Sequence, residues 1–106
     1  EEYYGLPVIT LVFDNGTLGM VRQWQTLLYN SRYSATTLDR GPDFVKLAEA
    51  YGLPGYRATN KEEFEQARRA AIAGGTAAVI DCMLYMDEVV RPMVPGGAPL
   101  TGFILE

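Results

Sequence analysis

The residues best suited to bind a ligand lie in one short segment, residues 14–20, which reads DNGTLGM. It follows an apolar run typical of a strand and precedes a stretch with helical spacing, and ligands of open α/β sheets bind beyond the carboxyl ends of strands. The start of a helix also favours anions, phosphates above all. The side-chain oxygen of Asn15 and nearby backbone carbonyls are hard donors that suit magnesium, and Gly16 and Gly19 would let a ligand approach the backbone closely.

A plain loop is the simpler interpretation of the same segment. Asn-Gly and Asp-Asn-Gly are common turn formers. The helical spacing that begins after Thr17 argues against a β-hairpin, but it is compatible with an ordinary connection between a strand and a helix. The residue types alone favour this plain loop, and the ligand site stays the alternative.

Met20 and Trp24 are four residues apart and therefore share one face of the predicted helix. A methionine and an aromatic residue at this spacing usually pack in a core, which is the simpler interpretation. The alternative is an apolar wall beside a cofactor or substrate, where Trp24 would offer a large flat surface and an indole donor.

Other candidates for chemistry have simple structural interpretations. Cys82 lies in an apolar run, where an inert buried thiol is expected. Asp81 is expected at the end of the same strand, in a capping or loop role. Four arginines could meet a carboxylate substrate, although a surface position is the simpler interpretation for each: Arg22, Arg32, Arg40 and Arg57.

The composition excludes several classes of function. The 106 residues carry nine Lys and Arg against thirteen Asp and Glu, which gives a net charge of −4, and 48% of them are hydrophobic, as in a folded domain. The sequence has no cluster of Lys and Arg to neutralise phosphates, which argues against nucleic acid as a partner. No apolar run reaches the length of about 18 residues that spans a membrane. One cysteine and no histidine exclude an internal disulfide, a multi-cysteine zinc site and a Ser-His or Cys-His nucleophile pair.

The spacing of apolar residues predicts three strands and three helices in the order β, α, α, β, α, β. The strands are expected to be buried on both faces, because the first and last of them are almost continuously apolar. The expected strands are residues 6–13, 55–59 and 76–84, and the expected helices are residues 18–29, 42–51 and 60 up to the Gly74-Gly75 pair.

Helix ends and the C-terminal segment carry further signals. Thr17, Asp43 and Asn60 are predicted N-caps, and Glu63, three residues after Asn60, completes a pattern like a capping box. Residues 85–106 are predicted to be an irregular tail whose apolar residues pack against another part of the protein. The expected buried stripe of the second helix is Phe44, Leu47, Ala48 and Tyr51.

Strands that alternate with helices indicate an α/β fold with a parallel sheet and right-handed crossovers. Three strands are few for such a sheet, because parallel strands need cover on both faces and neighbours at both edges. We therefore expect flanking helices and only the C-terminal half of a doubly wound domain. The chain begins at Glu1 and not at Met, and we expect it to be part of a longer protein.

Four segments together resemble a known enzyme family: FDNGTLGMVRQWQTLLYNSRYSAT, PDFVKLAEAYG, AVIDC and DEVVRPMVPGGAPL. In this order and spacing they are similar to the C-terminal end of the large, catalytic subunit of acetolactate synthases (acetohydroxyacid synthases). The resemblance covers nearly the whole chain. LGMVRQWQ, at residues 18–25, is highly specific to that family, and PMVPGG is nearly as specific. Other thiamine-diphosphate enzymes share the turn after the strand but not these two segments.

The resemblance implies a cofactor site. This family binds thiamine diphosphate through Mg²⁺, with a motif that begins Gly-Asp-Gly and closes with Asn-Asn. Asn15 matches the second Asn and would be a side-chain magnesium ligand, and Thr17 would offer its backbone carbonyl to the metal. Met20 would lie beside the cofactor rings. The cofactor-binding residues implied in this way are Asn15, Gly16, Thr17, Leu18, Gly19 and Met20.

The resemblance also implies a substrate channel lined by Met20, Trp24 and Gly96. Trp24 matches a tryptophan that shapes this channel and the herbicide site, and Gly96 falls in a tail that folds over the mouth of the active site. Residues 1–106 would thus be a partial C-terminal domain for thiamine diphosphate and magnesium, with residues 85–106 as its tail. No catalytic residue is expected within this chain.

Two features depart from the family pattern. Asp14 stands where the first Asn of the pair is expected, although the ligand position is kept. Gly-Asp-Gly does not occur in these residues. The glutamate that activates the aminopyrimidine ring is also outside them, since the family supplies it from an N-terminal domain of the partner subunit. Magnesium would find only neutral ligands here, whereas it normally has a carboxylate too. We therefore expect the isolated chain to be inactive.

For the parent protein the resemblance implies decarboxylation of pyruvate and carboligation to a second 2-keto acid, pyruvate or 2-ketobutyrate. The products are acetolactate or acetohydroxybutyrate, in branched-chain amino acid biosynthesis. It further implies a flavoprotein with FAD bound outside this chain, a homo-oligomer with a possible regulatory subunit, and a cytoplasmic location, or an organelle in a eukaryote. One alternative is a stand-alone, non-catalytic α/β module that binds a phosphate ligand or a protein. Another is a different thiamine enzyme, a decarboxylase or oxidase, against which LGMVRQWQ weighs.

Overall fold

The computed structural model describes residues 4–39 and 41–104, in which a three-stranded parallel sheet is flanked by helices. The strand order is β1-β3-β2, so the last strand lies in the middle. This confirms the predicted α/β class and the predicted order of elements. The elements are β1 (Ile9–Asp14), α1 (Gly19–Leu28), α2 (Phe44–Ala50), β2 (Gly55–Ala58), α3 (Lys61–Gly74) and β3 (Ala78–Met83).

The core forms where α3 packs on β3 and β2. Ile80 in β3 is 0% exposed, and small residues surround it, which lets the helix approach the sheet closely. Phe64 of α3 and Tyr56 of β2 pack against the edge of this cluster. The buried members of the core are Ala58, Ala67, Ala71, Ala78, Ile80 and Cys82.

Side chains cap α2 and α3 as predicted, with one shift. The Asp43 carboxylate accepts hydrogen bonds from the amides of Val45 and Lys46. The Asn60 side chain accepts from the Glu63 amide at 2.8 Å. Glu63 does not return to Asn60 but accepts the amide and hydroxyl of Thr59, each at 2.7 Å, so the box closes one residue earlier than predicted. These hydrogen bonds from Thr59 lower the pKa of Glu63.

β1 corrects the prediction of a strand buried on both faces. It pairs with β3 on one side only within the described residues, and Phe13 is 68% exposed. Leu11 is exposed as well. The continuous apolar pattern correctly predicted a strand. Burial of both its faces requires packing partners on each face and a strand at its free edge, and the described residues do not provide them.

Parts of the predicted helix stripes are also wrong. Leu47 and Tyr51 of the second helical region are exposed, and only Ala48 of its stripe is buried. Asp81 does not end its strand. It lies within β3 and is buried, and its Oδ2 accepts a hydrogen bond from Arg57 Nε at 3.2 Å. Periodicity identifies which residues share a face, but not whether another element covers that face.

The C-terminal tail, residues 85–104 of the described chain, has turns and an isolated bridge between Met93 and Ile104 but no regular helix or strand. It packs on α1, through hydrogen bonds between Gln23 and Val90. The expectation that the tail packs on another part of the protein is therefore met. Across the described ranges 4–39 and 41–104, no helix is long and apolar enough to cross a membrane.

Candidate functional site

The segment between β1 and α1 is an ordered double turn. The Asp14 carboxylate accepts the Gly16 amide at 2.9 Å, and the Asn15 side-chain oxygen accepts the Thr17 amide at 3.2 Å. Gly16 has a φ of +64°, a conformation that any other residue type adopts at a cost. These contacts turn the chain sharply at the carboxyl end of β1, where ligands of parallel sheets bind.

A second segment, residues 36–38, holds this turn in place. The Leu18 amide donates to the Thr36 carbonyl, and the Leu38 amide donates to the Gly16 carbonyl, both at 2.8 Å. The Thr17 hydroxyl also donates to the Thr36 carbonyl, at 2.6 Å, and both threonines are buried. Thr17 is therefore not the N-cap of α1, because its hydroxyl has a partner outside the helix.

The start of α1 has no side-chain cap. Leu18 occupies the N-cap position, and no described side chain accepts a hydrogen bond there. The first amides of a helix need acceptors, and an anion can supply them. This distinguishes α1 from α2 and α3, whose first amides are capped by Asp43 and Asn60.

Gly19 leaves space that the Asn15 side chain occupies. A Cβ atom at Gly19 would lie 2.7 Å from Asn15 Nδ2, which is closer than atoms approach. The two residues are therefore fitted to each other across the turn. This fit is compatible with both interpretations of the segment, a plain loop and a ligand site.

Asn15 and Thr17 could supply two oxygen ligands to a magnesium ion whose remaining ligands come from other groups. Asn15 Oδ1 has a second lone pair beyond its bond to the Thr17 amide, and Thr17 uses its amide and hydroxyl locally, which leaves its carbonyl to offer. Within the described part of the chain, no cluster of three or more His, Cys, Asp or Glu could hold a metal alone. Magnesium is usually held by one or two carboxylates together with phosphate oxygens and water, so Asn15 and Thr17 would supply only the neutral part of its ligand set.

Met20 and Trp24 line a groove rather than a core. Both side chains are about half exposed, Trp24 at 49%, so the core-packing interpretation is not what the structure shows. The groove has a volume of about 550 Å³. Gly96 is not among its lining residues, so the structure brings together two of the three predicted channel residues. The residues that line the groove are Met20, Val21, Trp24, Gln25, Tyr29 and Arg32.

The candidate arginines separate by their contacts. Arg22 pairs with Asp87 at 2.6 Å and lies over the Tyr33 ring, 4.0 Å from its centroid. Arg57 bridges Asp43 and Asp81, which ties the start of α2 to the sheet. Arg32 lines the groove. Arg40 lies outside the described residues.

Gln23 is the site residue that the sequence did not reveal. It is the buried residue of α1, at 4% exposure, although the helix carries several larger apolar side chains. Its side-chain amide contacts the tail at Val90, and Arg22 contacts the tail at Asp87. The hydrogen bond to Asp87 raises the pKa of Arg22, and the hydroxyl of Thr26 lowers the pKa of Tyr33. No sequence signal marks a glutamine as the buried residue of an amphipathic helix.

Cys82 is the inert thiol that the sequence predicts. It is buried in β3, and this burial raises the pKa of the thiol, with a smaller contribution from the Asp81 charge. A raised pKa leaves little thiolate at neutral pH, and the thiolate is the reactive form.

Comparison with known proteins identifies the class first. Residues 2–82 match the thiamine pyrophosphate enzyme family, in the part described as its C-terminal TPP binding domain, and the chain belongs to this family. A thiamine diphosphate-dependent 4-hydroxybenzoylformate decarboxylase from Rhodococcus jostii RHA1 has the same fold in its solved structure. The TM-score is 0.68 at 28% identity, covering 82% of this chain and 16% of that one.

More specific relatives are acetolactate synthase large subunits, as the motifs indicated. The chain is 42% identical, over 95% of its length, to a probable acetolactate synthase large subunit of Methanocaldococcus jannaschii, and it covers 17% of that protein. It is 41% identical, over 88% of its length, to the acetolactate synthase isozyme 2 large subunit of Escherichia coli (strain K12), again covering 17%. The chain thus spans about a sixth of the length of these curated relatives.

Proposed function

We propose that this chain is part of an acetolactate synthase large subunit and holds the magnesium and diphosphate end of the cofactor. The observation that carries this is the fitted turn of Asn15 and Gly19 at the uncapped start of α1. The similarity to acetolactate synthase large subunits, which extends over 95% of the chain, supports the assignment to this enzyme.

Different residues of the chain would bind the metal, the diphosphate and the substrate in such a site. Asn15 and the Thr17 carbonyl would hold Mg²⁺, while the uncapped amides at the start of α1 would donate hydrogen bonds to the diphosphate oxygens. Thiamine diphosphate, when bound, supplies the electron sink for decarboxylation of a 2-keto acid. Met20 and Trp24 would exclude water from the groove with their apolar surfaces, and Arg32 would attract a substrate carboxylate.

The remaining features belong to the parent protein and are proposals in the same sense. We expect pyruvate and 2-ketobutyrate as substrates, FAD bound outside this chain, and a homo-oligomer with a possible regulatory subunit. The cytoplasm, or an organelle in a eukaryote, is the proposed location. Gly96 is proposed to reach the channel from the tail once the rest of the protein is present.

The decisive assay is product analysis with the full-length protein. With pyruvate, thiamine diphosphate, Mg²⁺ and FAD, acetolactate should form, and with added 2-ketobutyrate, acetohydroxybutyrate should appear. Acetaldehyde without either ligated product would overturn the proposal in favour of a simple decarboxylase. The purified 106-residue chain should give no product, because it lacks Gly-Asp-Gly and the activating glutamate.

Two asparagine variants separate the metal role from a structural role. Asn15→Ala should abolish Mg²⁺-dependent cofactor binding in the full-length protein. Asn60→Ala is the matched control, because Asn60 also lies at the start of a helix but caps it. It should lower stability and leave cofactor affinity unchanged. Equal loss of cofactor affinity in both variants would contradict the assignment of Asn15 as a ligand.

A further inference from the structure

α1 presents two faces that make different contacts. Met20 and Trp24 face the groove, whereas Gly19, Arg22 and Gln23 lie beside the tail. Successive residues of a helix are about 100° apart, so Gln23 and Trp24 are neighbours on the chain but point to different sides. The tail therefore contacts the helix from the side away from the groove.

α1 depends on these contacts for its position. The helices that pack on the sheet are α2 and α3, and α1 makes only minor contact with the strands. Its first turn is held by the segment at residues 36–38, through Thr17 and Leu18. Beyond that turn, Gln25 and Thr26 contact residues 33–34, and Arg22 and Gln23 connect the helix to the tail.

The Gln23 amide satisfies both backbone groups of one tail residue. Gln23 Nε2 donates to the Val90 carbonyl at 3.0 Å, and the Val90 amide donates to Gln23 Oε1 at 2.9 Å. Nε2 also lies 3.3 Å from the Met93 sulfur. The arrangement resembles one rung of a β-ladder, made by a side chain. Because Gln23 is buried, water cannot easily replace these bonds.

The neighbouring ion pair is more exposed. Asp87 keeps 40% of its side-chain surface accessible, and salt screens exposed pairs. Gln23 is thus the contact that should persist at physiological ionic strength, and the pair of Arg22 and Asp87 adds to it at low salt.

We propose that Gln23 is a positioning residue: it fixes the C-terminal tail on α1 and thereby sets the orientation of Met20 and Trp24 in the groove. A helix moves as a rigid body, so release of the tail at Gln23 lets the adjoining Trp24 change its direction. The kinetic part of this inference rests on the proposed function, whereas the tail contact does not.

The contact is tested by hydrogen exchange in the full-length protein. Gln23→Met keeps the length and volume of the side chain but removes its donor and acceptor. Exchange at the Val90 amide should become about tenfold or more faster, the change expected when a protected hydrogen bond is lost. Gln66→Met, on the exposed side of α3, is the matched control and should leave Val90 unchanged. Unchanged exchange in Gln23→Met would overturn the proposal.

The kinetics test the orientation of the groove. In Gln23→Met, the KM for the acceptor 2-keto acid should rise several-fold and the ratio of acetohydroxybutyrate to acetolactate should shift, while kcat changes less than the KM. The dissociation constant of thiamine diphosphate should rise less than the KM, because the proposed metal ligands Asn15 and Thr17 lie in a turn that residues 36–38 hold, and the tail does not hold it. Faster exchange at Val90 with unaltered KM and product ratio would overturn the positioning role. If the unmodified protein makes no acetolactate, the proposed function fails, while the Val90 exchange still decides whether Gln23 anchors the tail.

Discussion

The region of β2, α3 and β3 and the region of β1, α1 and the tail are built from similar proportions of apolar residues but use them differently. In the first region the apolar side chains meet each other around Ile80. In the second, Phe13 and Trp24 remain exposed, and the buried residue of α1 is Gln23. The caps differ as well, since Asn60 caps α3 and no described side chain caps α1.

If the proposed function is correct, the residues that stabilise the fold and the residues that bind the cofactor lie in different parts of this chain. The first region has the cap of α3, the ion pair of Arg57 with a buried carboxylate, and the buried core cluster. The second has the fitted turn, the groove and the tail contact. Uncapped helix ends and exposed apolar surface reduce stability but are what a ligand or a larger assembly requires.

The two regions should differ most in the loss of stability that follows when a large apolar side chain is shortened to alanine. Ile80→Ala should lower the free energy of unfolding by about 2–5 kcal/mol, because it leaves a cavity around a fully buried site. Leu28→Ala, on half-exposed α1, should cost less than about 1 kcal/mol. Urea unfolding of the 106-residue chain measures both. In the full-length protein a larger cost for Leu28→Ala would show that another part of the protein covers α1.

Two glycine substitutions compare the turn with the end of α3. Gly19→Ala should displace the Asn15 side chain and weaken Mg²⁺-dependent cofactor binding by about 10–100-fold, as when the support of a metal ligand is lost. Its cost in stability should be small, since the displaced atom ends a flexible side chain. Gly74→Ala has space for its Cβ and should leave binding unchanged. Calorimetric titration of the full-length protein checks this, and unaltered affinity in Gly19→Ala would contradict the metal site.

Removing a helix cap should have a moderate effect in one region only. Asn60→Ala should destabilise the chain by about 1 kcal/mol, because the Glu63 amide loses its acceptor. Leu18→Ala, at the corresponding position of α1, removes no capping hydrogen bond and should change the free energy of unfolding less. Paired denaturation curves decide the comparison, and equal losses would indicate that α1 is capped in solution.

The smallest expected effect is a pH dependence confined to the capped region. The pKa of Glu63 is lowered by its bonds to Thr59, and that of Asp43 by the Lys46 amide and then by Arg57. A lowered pKa in the folded state stabilises the protein above the unfolded value of about 4, and this contribution is lost as the pH falls below it. As the pH falls from about 6 to about 3, the melting temperature of Glu63→Gln should therefore decline less steeply than that of the unmodified chain. An identical decline in both proteins would remove Glu63 from the explanation.

Local chemistry accounts for the order of the elements and the caps of α2 and α3, which the structure confirms, whereas the ligand chemistry of residues 14–20 stays a prediction. These depend on the spacing of apolar residues, on side chains that reach their own backbone within three or four positions, and on the motif that the family shares. Each is a short-range property of the chain, so the sequence contains the whole of it.

Which of the apolar faces are buried depends on long-range packing, which the sequence pattern does not reveal. Thr17 donates to Thr36, nineteen positions away, and Gln23 meets Val90, sixty-seven positions away, so no local pattern could reveal either partner. Leu47 and Phe13 have the residue types of a core but lie where the described residues offer no cover. Burial depends on what stands opposite a side chain, and that is set by the packing of the whole fold and not by the residue's own neighbours in sequence.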